Sequence, residues 1–413
     1  MLYHSHDLSA LAVIPSRSAA VGAQMALRAG PLSALMNTPE SRLVEGVCDM
    51  FERCTRYTTK PSFGLSYVEG KNGPIALHEK VVLEKPFCRL LRFEKENDKY
   101  EPNVLIIAPI SGHFATLLRD TVRRMAPLHN VFITDWVSVS EVPLAEGAFG
   151  LDVYLDYLID FLRVIGPNTH VMAVCQPAVQ VMALAAILEE AKDPLCPTSI
   201  IPMGGPIDPR KNPTSVNRFA ETYPLKQFEA MLSIVPLGHP GAGRRVYPGF
   251  LQLTCFLSMN PNNHIGKHFQ YLEDCVAGRE DKKNVHKTFY DEYFSLLDMD
   301  DAYFLETIDH IFQRYTLPRG IMTYRGQKVD LRAIRKTALL TLEGEKDDIS
   351  GPGQTYAAQE LCSNLPERKK SHYIQPGVGH YGVFSGSRWR QFIAPKIEAF
   401  IREHDPVWQS EYA

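Results

Sequence analysis

The chain has 413 residues, 45% of them hydrophobic, with 44 basic and 47 acidic side chains for a formal net charge of −3. That length admits one large domain with an insertion or a few small ones, and the composition is that of a folded chain. So small a net charge gives no long-range attraction to phosphate backbones or anionic lipid, which excludes nucleic acid as an expected partner.

In chain order, residues 1–70 read as a helical extension, with helices over Ala19–Arg28 and Ser41–Arg56 ended by Pro61 and Gly64. The first apolar run, Leu8 to Pro15, is too short and too poorly flanked for a signal peptide. No stretch approaches the ~20 apolar residues of a membrane span. Ile75–Leu83 and Cys88–Phe93 look like a strand pair, and Val104–Ala108 is a continuous apolar run of the kind a buried parallel strand makes. Strands and helices then alternate: the turn 109–113, an amphipathic segment Phe114–Met125, strand Val131–Thr134, helix Leu151–Ile165, strand His170–Val174, helix Ala178–Lys192 and strand Ser199–Met203. Such alternation predicts a mostly parallel sheet covered by helices on both faces.

The rhythm stops after Gly204-Gly205-Pro206. Residues 208–335 read as an inserted cap, with helical stretches near Leu225–Ser233, Tyr247–Ser258, His286–Leu297 and Asp301–Tyr315. The sheet pattern returns at Thr337–Leu342 and Lys370–Gln375, and an amphipathic helix, Trp389–His404, closes the chain. Residues 71–207 and 336–413 therefore form the core, and the cap lies over the strand ends, where ligands of open α/β sheets bind.

Three segments placed just after predicted strands hold the residue types of acyl transfer. His170–Val174 runs through Cys175-Gln176-Pro177 into a helix, the position of the nucleophile elbow in α/β-hydrolases. Gly344-Glu-Lys-Asp347 sets an acid behind a strand, and Gly379-His380-Tyr-Gly382 sets a histidine in a glycine-rich loop. The order Cys175, Asp347, His380 is that of nucleophile, acid and base in this fold class. A buried structural cysteine, a turn aspartate and an ordinary histidine are the competing accounts of the three, and the shared strand-end context tips the balance. Asp348 is the more natural turn partner, leaving Asp347 as the acid. The oxyanion needs two backbone N–H groups: Gln176 after the nucleophile, and Ile110 in the loop after Val104–Ala108, with Ser111 a close second. The fold expected is thus an α/β-hydrolase with an N-terminal helical extension and an inserted cap.

The eight cysteines (48, 54, 88, 175, 196, 255, 275 and 362) show no CxxC pair and no metal-type spacing, so no metal is expected and a reduced, cytoplasmic setting fits. The cap aromatics Tyr247, Phe250, Phe256, Phe289, Tyr290, Tyr293, Phe294, Tyr303 and Phe304 are candidates for a groove, although at helical spacing core is the commoner fate. Arg244-Arg245 reads as a solvated charge pair rather than an anion site.

Six segments carry a family resemblance: Val174-Cys-Gln-Pro177, Pro202-Met-Gly-Gly-Pro-Ile-Asp208, Gly243-Arg-Arg-Val-Tyr-Pro-Gly-Phe250, Phe289-Tyr-Asp-Glu-Tyr293, Gly344-Glu-Lys-Asp-Asp-Ile-Ser350 and Gly379-His-Tyr-Gly-Val-Phe-Ser-Gly386. With them the sequence resembles the intracellular polyhydroxybutyrate depolymerases, a family similar in turn to the polyhydroxyalkanoate synthases. The resemblance implies cleavage of amorphous poly(3-hydroxybutyrate) at the surface of cytoplasmic granules, with Cys175 as nucleophile, Asp347 as acid and His380 as base. The thioester acyl-enzyme would be resolved by water, or by coenzyme A acting as acyl acceptor; no other cofactor is implied, and a homo-oligomer is compatible with the sequence. The alternatives are a synthase-like acyltransferase and a non-catalytic granule-binding protein. Ala173 and Pro177 stand where the usual nucleophile box has glycines, which weakens a generic lipase reading.

Overall fold

The computed structural model describes residues 2–29, 38–96, 100–259 and 261–412. Its centre is an eight-stranded sheet of β1 (His78–Lys85), β2 (Cys88–Glu94), β3 (Asn103–Ile107), β4 (Asn130–Trp136), β5 (Thr169–Val174), β6 (Ser199–Met203), β7 (Ala338–Gly344) and β8 (Lys370–Gln375). The spatial order is β8-β7-β6-β5-β3-β4-β2-β1. β2 runs antiparallel to both of its neighbours, and all pairings from β4 to β8 are parallel. This is the α/β-hydrolase arrangement. Every residue of β5, β6 and β7 is buried, which requires a layer of helices on each face and explains why these strands read as mostly apolar runs. The helices pair off accordingly: Leu151–Ile165 lies on Pro177–Glu190, and Arg119–Met125 lies on Ala394–His404.

Several sequence expectations are corrected in detail. The strand predicted over Ile75–Leu83 is two: Gly73–Ala76 turns back on Tyr67–Gly70, and β1 starts after Leu77. The segment Phe114–Met125 opens as a 3-10 turn over Ala115–Leu118, and its α-helix begins only at Arg119. The N-terminal helix spans Leu2–Ala29 with Pro15 inside it, far longer than the predicted Ala19–Arg28. Its Leu2–Arg28 portion is long and apolar enough to cross a membrane by length and composition, with a mean hydropathy of 1.2. That qualifies the expectation of no such segment: alanines between scattered serines and histidines keep the average high without forming an unbroken apolar run.

The insertion between β6 and β7 carries helices Ser215–Thr222, Leu225–Glu229, Gly249–Met259, Pro261–Val276, Glu280–Tyr293 and Asp301–Glu306, and a small three-stranded sheet. The last helix continues as a π-helical turn, Thr307–Gln313, a distortion that often marks a functional site. The second N-terminal helix, Pro39–Thr55, leans on the cap: Tyr271 donates to Asp49 Oδ2 at 2.5 Å, and Arg53 pairs with Asp291 at 2.6 Å. Gly46 is needed there, because a Cβ would lie 2.9 Å from the Cys275 sulfur.

Arg244 is not the solvated charge predicted. It is 3% exposed and donates to the carbonyl oxygens of Val142 (2.6 Å), Pro143 (2.5 Å) and Gly147 (2.7 Å), so it clamps the loop after β4 to the cap. Arg245 is exposed, 3.5 Å from Asp301.

Candidate active site

β5 ends at Val174 and a helix starts at Pro177, which leaves Cys175 and Gln176 to make the whole turn. Cys175 takes φ +64°, a left-handed backbone that side chains other than glycine adopt only under constraint. The constraint is visible: its N–H donates to Met203 O at 2.8 Å and its carbonyl accepts from Ala178 N at 3.1 Å. Pro177 fits the first helical position, where an N–H has no intrahelical partner.

The room that flanking glycines usually give comes here from the neighbouring strand end. A Cβ on Gly205 would lie 2.1 Å from Ala178 Cβ and 2.8 Å from Cys175 O, and one on Gly204 would lie 3.2 Å from Asp347 Oδ2 and 3.4 Å from His380 Cε1. Gly205 therefore admits the elbow, and Gly204 admits Asp347 and His380. Sequence reading missed both roles, because the demand comes from other strands and not from the local sequence.

Asp347 follows β7 with its carboxylate fully used. Oδ1 accepts the N–H groups of Ile349 (2.9 Å) and Ser350 (2.8 Å), and Oδ2 lies 2.8 Å from His380 Nδ1. Both residues are 6% exposed. Gly344 lets the histidine loop come close, since a Cβ would stand 2.8 Å from Val378 O. Burial disfavours a charged His380, but the Asp347 carboxylate and then Cys175, as a charge and as a hydrogen-bond partner, raise its pKa well above the ordinary value. The structure thus brings Cys175, His380 and Asp347 together; Asp348 turns instead toward a neighbouring cleft.

Gln176 is 5% exposed, and its side chain joins three segments: Oε1 accepts Ser111 N–H at 3.2 Å, and Nε2 donates to Thr307 Oγ1 at 3.3 Å. The elbow, the loop after β3 and the π-helical turn of the cap are fixed to one another. The Ser111 N–H, the alternative to Ile110 in the sequence, is thus already hydrogen-bonded. The Ile110 side chain faces away, into a small cavity with Phe87, Trp136 and Phe149.

Cys175 and His380 open into a cavity of about 480 Å³ between core and cap, within the usual range of small-molecule sites. Its walls are apolar, with Phe228, Phe256, Phe304, Phe312 and Met259 among them. Of the nine candidate aromatics, Tyr247, Phe256 and Phe304 line this cavity, whereas Tyr290 and Tyr303 are buried core. His113 also lines it and was not singled out; its only sequence sign is a place beside Gly112 in the loop after β3. A second cleft, about 330 Å³, also reaches His380 and is of mixed character, with Asn263, Lys267, Lys346 and Asp348 beside Phe256 and Phe289. All eight cysteines are unpaired. Among the described residues no group of three or more metal-ligating side chains is assembled.

Residues 204–405 match the family model described as PHB de-polymerase C-terminus. No curated protein matches the chain. Similar solved structures include a protein described as a lipase from Acinetobacter baumannii AYE, at 13% identity over 79% of this chain and 91% of that one, TM-score 0.46. A monoacylglycerol lipase from Paleococcus ferrophilus has 12% identity over 74% and 96%, TM-score 0.42. A 2-hydroxy-6-oxo-6-phenylhexa-2,4-dienoate hydrolase from Rhodococcus sp. strain RHA1 has 12% identity over 79% and 99%, TM-score 0.41. At such values the fold assignment stands on the strand order and register above.

Proposed function

We propose, on the match of residues 204–405 to the PHB de-polymerase C-terminus family model, that the chain is an ester hydrolase cleaving poly(3-hydroxybutyrate) through a Cys175–His380–Asp347 triad. The observation that carries this reading is the 2.8 Å contact between His380 Nδ1 and Asp347 Oδ2 beside a cysteine held at φ +64°. His380 takes the thiol proton as sulfur attacks the ester carbonyl, and Asp347 stabilises the imidazolium. The oxyanion is met by the backbone N–H groups of Gln176 and Ile110. The C–O bond breaks, the proton passes to the departing alkoxide, and a thioester remains on Cys175.

An uncharged polyester suits the apolar cavity, because its methyl and methylene groups need only burial. The mixed cleft that holds Lys267 and Lys346 also reaches His380. It gives water, or an anionic thiol such as coenzyme A, a route to the thioester, so hydrolysis and thiolysis both fit. The site of action would be the granule surface in the cytoplasm. The test is Cys175→Ala on native granules with product analysis with and without coenzyme A. The variant is expected to lose clearing by about 10⁴-fold or more with its circular dichroism unchanged; retained clearing would refute the assignment.

A further inference from the structure

His113 is a buried group that the mechanism above does not use. It ends the loop after β3, is 3% exposed, and lines the cavity that holds Cys175 and His380. Its ring is fixed among Phe256, Tyr293 and Tyr381, with centroids 5.6, 5.2 and 6.1 Å away. The backbone beside it is pinned, since Gly112 N–H donates to Gln252 Oε1 at 2.9 Å and Gly112 O accepts from Leu297 N at 3.0 Å. Burial lowers the imidazole pKa to about 4, so the ring is neutral at pH 7 and carries one N–H, which goes to the backbone of Tyr293. Nε2 is left as a bare acceptor, buried and with no hydrogen-bond partner. A buried polar atom without a partner points to a ligand that supplies one.

The chemistry of a polyester narrows that ligand. Ester units offer carbonyl and ether oxygens, all acceptors, and a carboxylate end is again an acceptor. The one donor on a poly(3-hydroxybutyrate) chain is the hydroxyl at its other terminus. We propose that His113 Nε2 accepts the hydrogen bond of that terminal hydroxyl, so that this enzyme takes its substrate by the hydroxyl end. This assignment rests on the depolymerase reading and adds direction to it. In a chain written from its hydroxyl end, the acyl side of each ester faces the hydroxyl terminus. The piece held by His113 is therefore the piece that becomes the thioester on Cys175. The departing alcohol is the rest of the chain, which leaves with a new terminal hydroxyl that the same site can take in the next cycle.

The experiment compares two 3-hydroxybutyrate trimers with the same methyl-ester end, one with a free terminal hydroxyl and one O-methylated there. Wild type should cleave the free trimer about tenfold faster in kcat/KM, the factor of one net hydrogen bond. His113→Phe should lose that preference by slowing on the free trimer alone, and His113→Gln, which can still accept, should keep part of it. A readout without a His113 variant is the ¹⁵N shift of His113 Nε2 in the Cys175→Ala protein. It should move on adding methyl 3-hydroxybutyrate and stay in place with methyl 3-methoxybutyrate. Equal rates on both trimers, an unmoved Nε2, or a phenylalanine variant that slows on both alike would overturn the assignment. Wild type that cleaves neither trimer would overturn the depolymerase reading instead.

Discussion

The core and the cap hold the same cavity in different ways. Core groups are held through backbone: Asp347 by two N–H donors, Cys175 by a strained turn between two strand ends, and both by glycines whose missing Cβ atoms leave no slack. The cap meets the cavity through side chains packed on one another, such as Tyr247 stacked on Phe304 at 4.1 Å. The first kind of support admits almost no change in shape, and the second admits repacking. Rate should therefore reside in the core and substrate fit in the cap.

The sharpest way to break this contrast is Gly205→Ala. A methyl 2.1 Å from Ala178 Cβ and 2.8 Å from Cys175 O must displace the elbow. We expect a stability loss of about 1–3 kcal/mol in urea titration and, in the protein that remains folded, a fall in kcat of about 100-fold for a nucleophile moved by an ångström. A Gly205→Ala enzyme with normal kcat would show that the elbow is not held by this approach. The cap counterpart is Phe304→Leu, which keeps most of the volume. It should raise KM severalfold at nearly constant kcat, the pattern of lost uniform binding; a large fall in kcat would place part of the rate in the cap.

The sequence made the core legible for the same physical reason. Strands buried on both faces are mostly apolar, so β3, β5, β6 and β7 stand out as runs, and a strand leading straight into a helix through Cys175 marks an elbow. The cap was harder. Pro261–Val276 opens on Pro-Asn-Asn and carries Gly266, turn-type residues that mask the helical spacing of Ile265, Phe269, Leu272 and Val276, and Ser215–Thr222 is a short helix set by a capping box between Thr214 and Asn217. Neither was predicted. Arg244 was read as solvated because its carbonyl partners lie 97 to 102 residues upstream. Gly204, Gly205 and His113 matter through neighbours from other strands or the cap, and periodicity carries no trace of such contacts.

The claim on which everything rests is that sulfur of Cys175 carries the acyl group. Rapid acid quench of the wild-type enzyme with a 3-hydroxybutyrate oligomer, followed by peptide mass analysis, tests it directly. The account predicts a hydroxybutyryl adduct on the peptide bearing Cys175, removed by hydroxylamine and absent from Cys175→Ala. An adduct on another residue, or steady turnover with Cys175 removed, would contradict it.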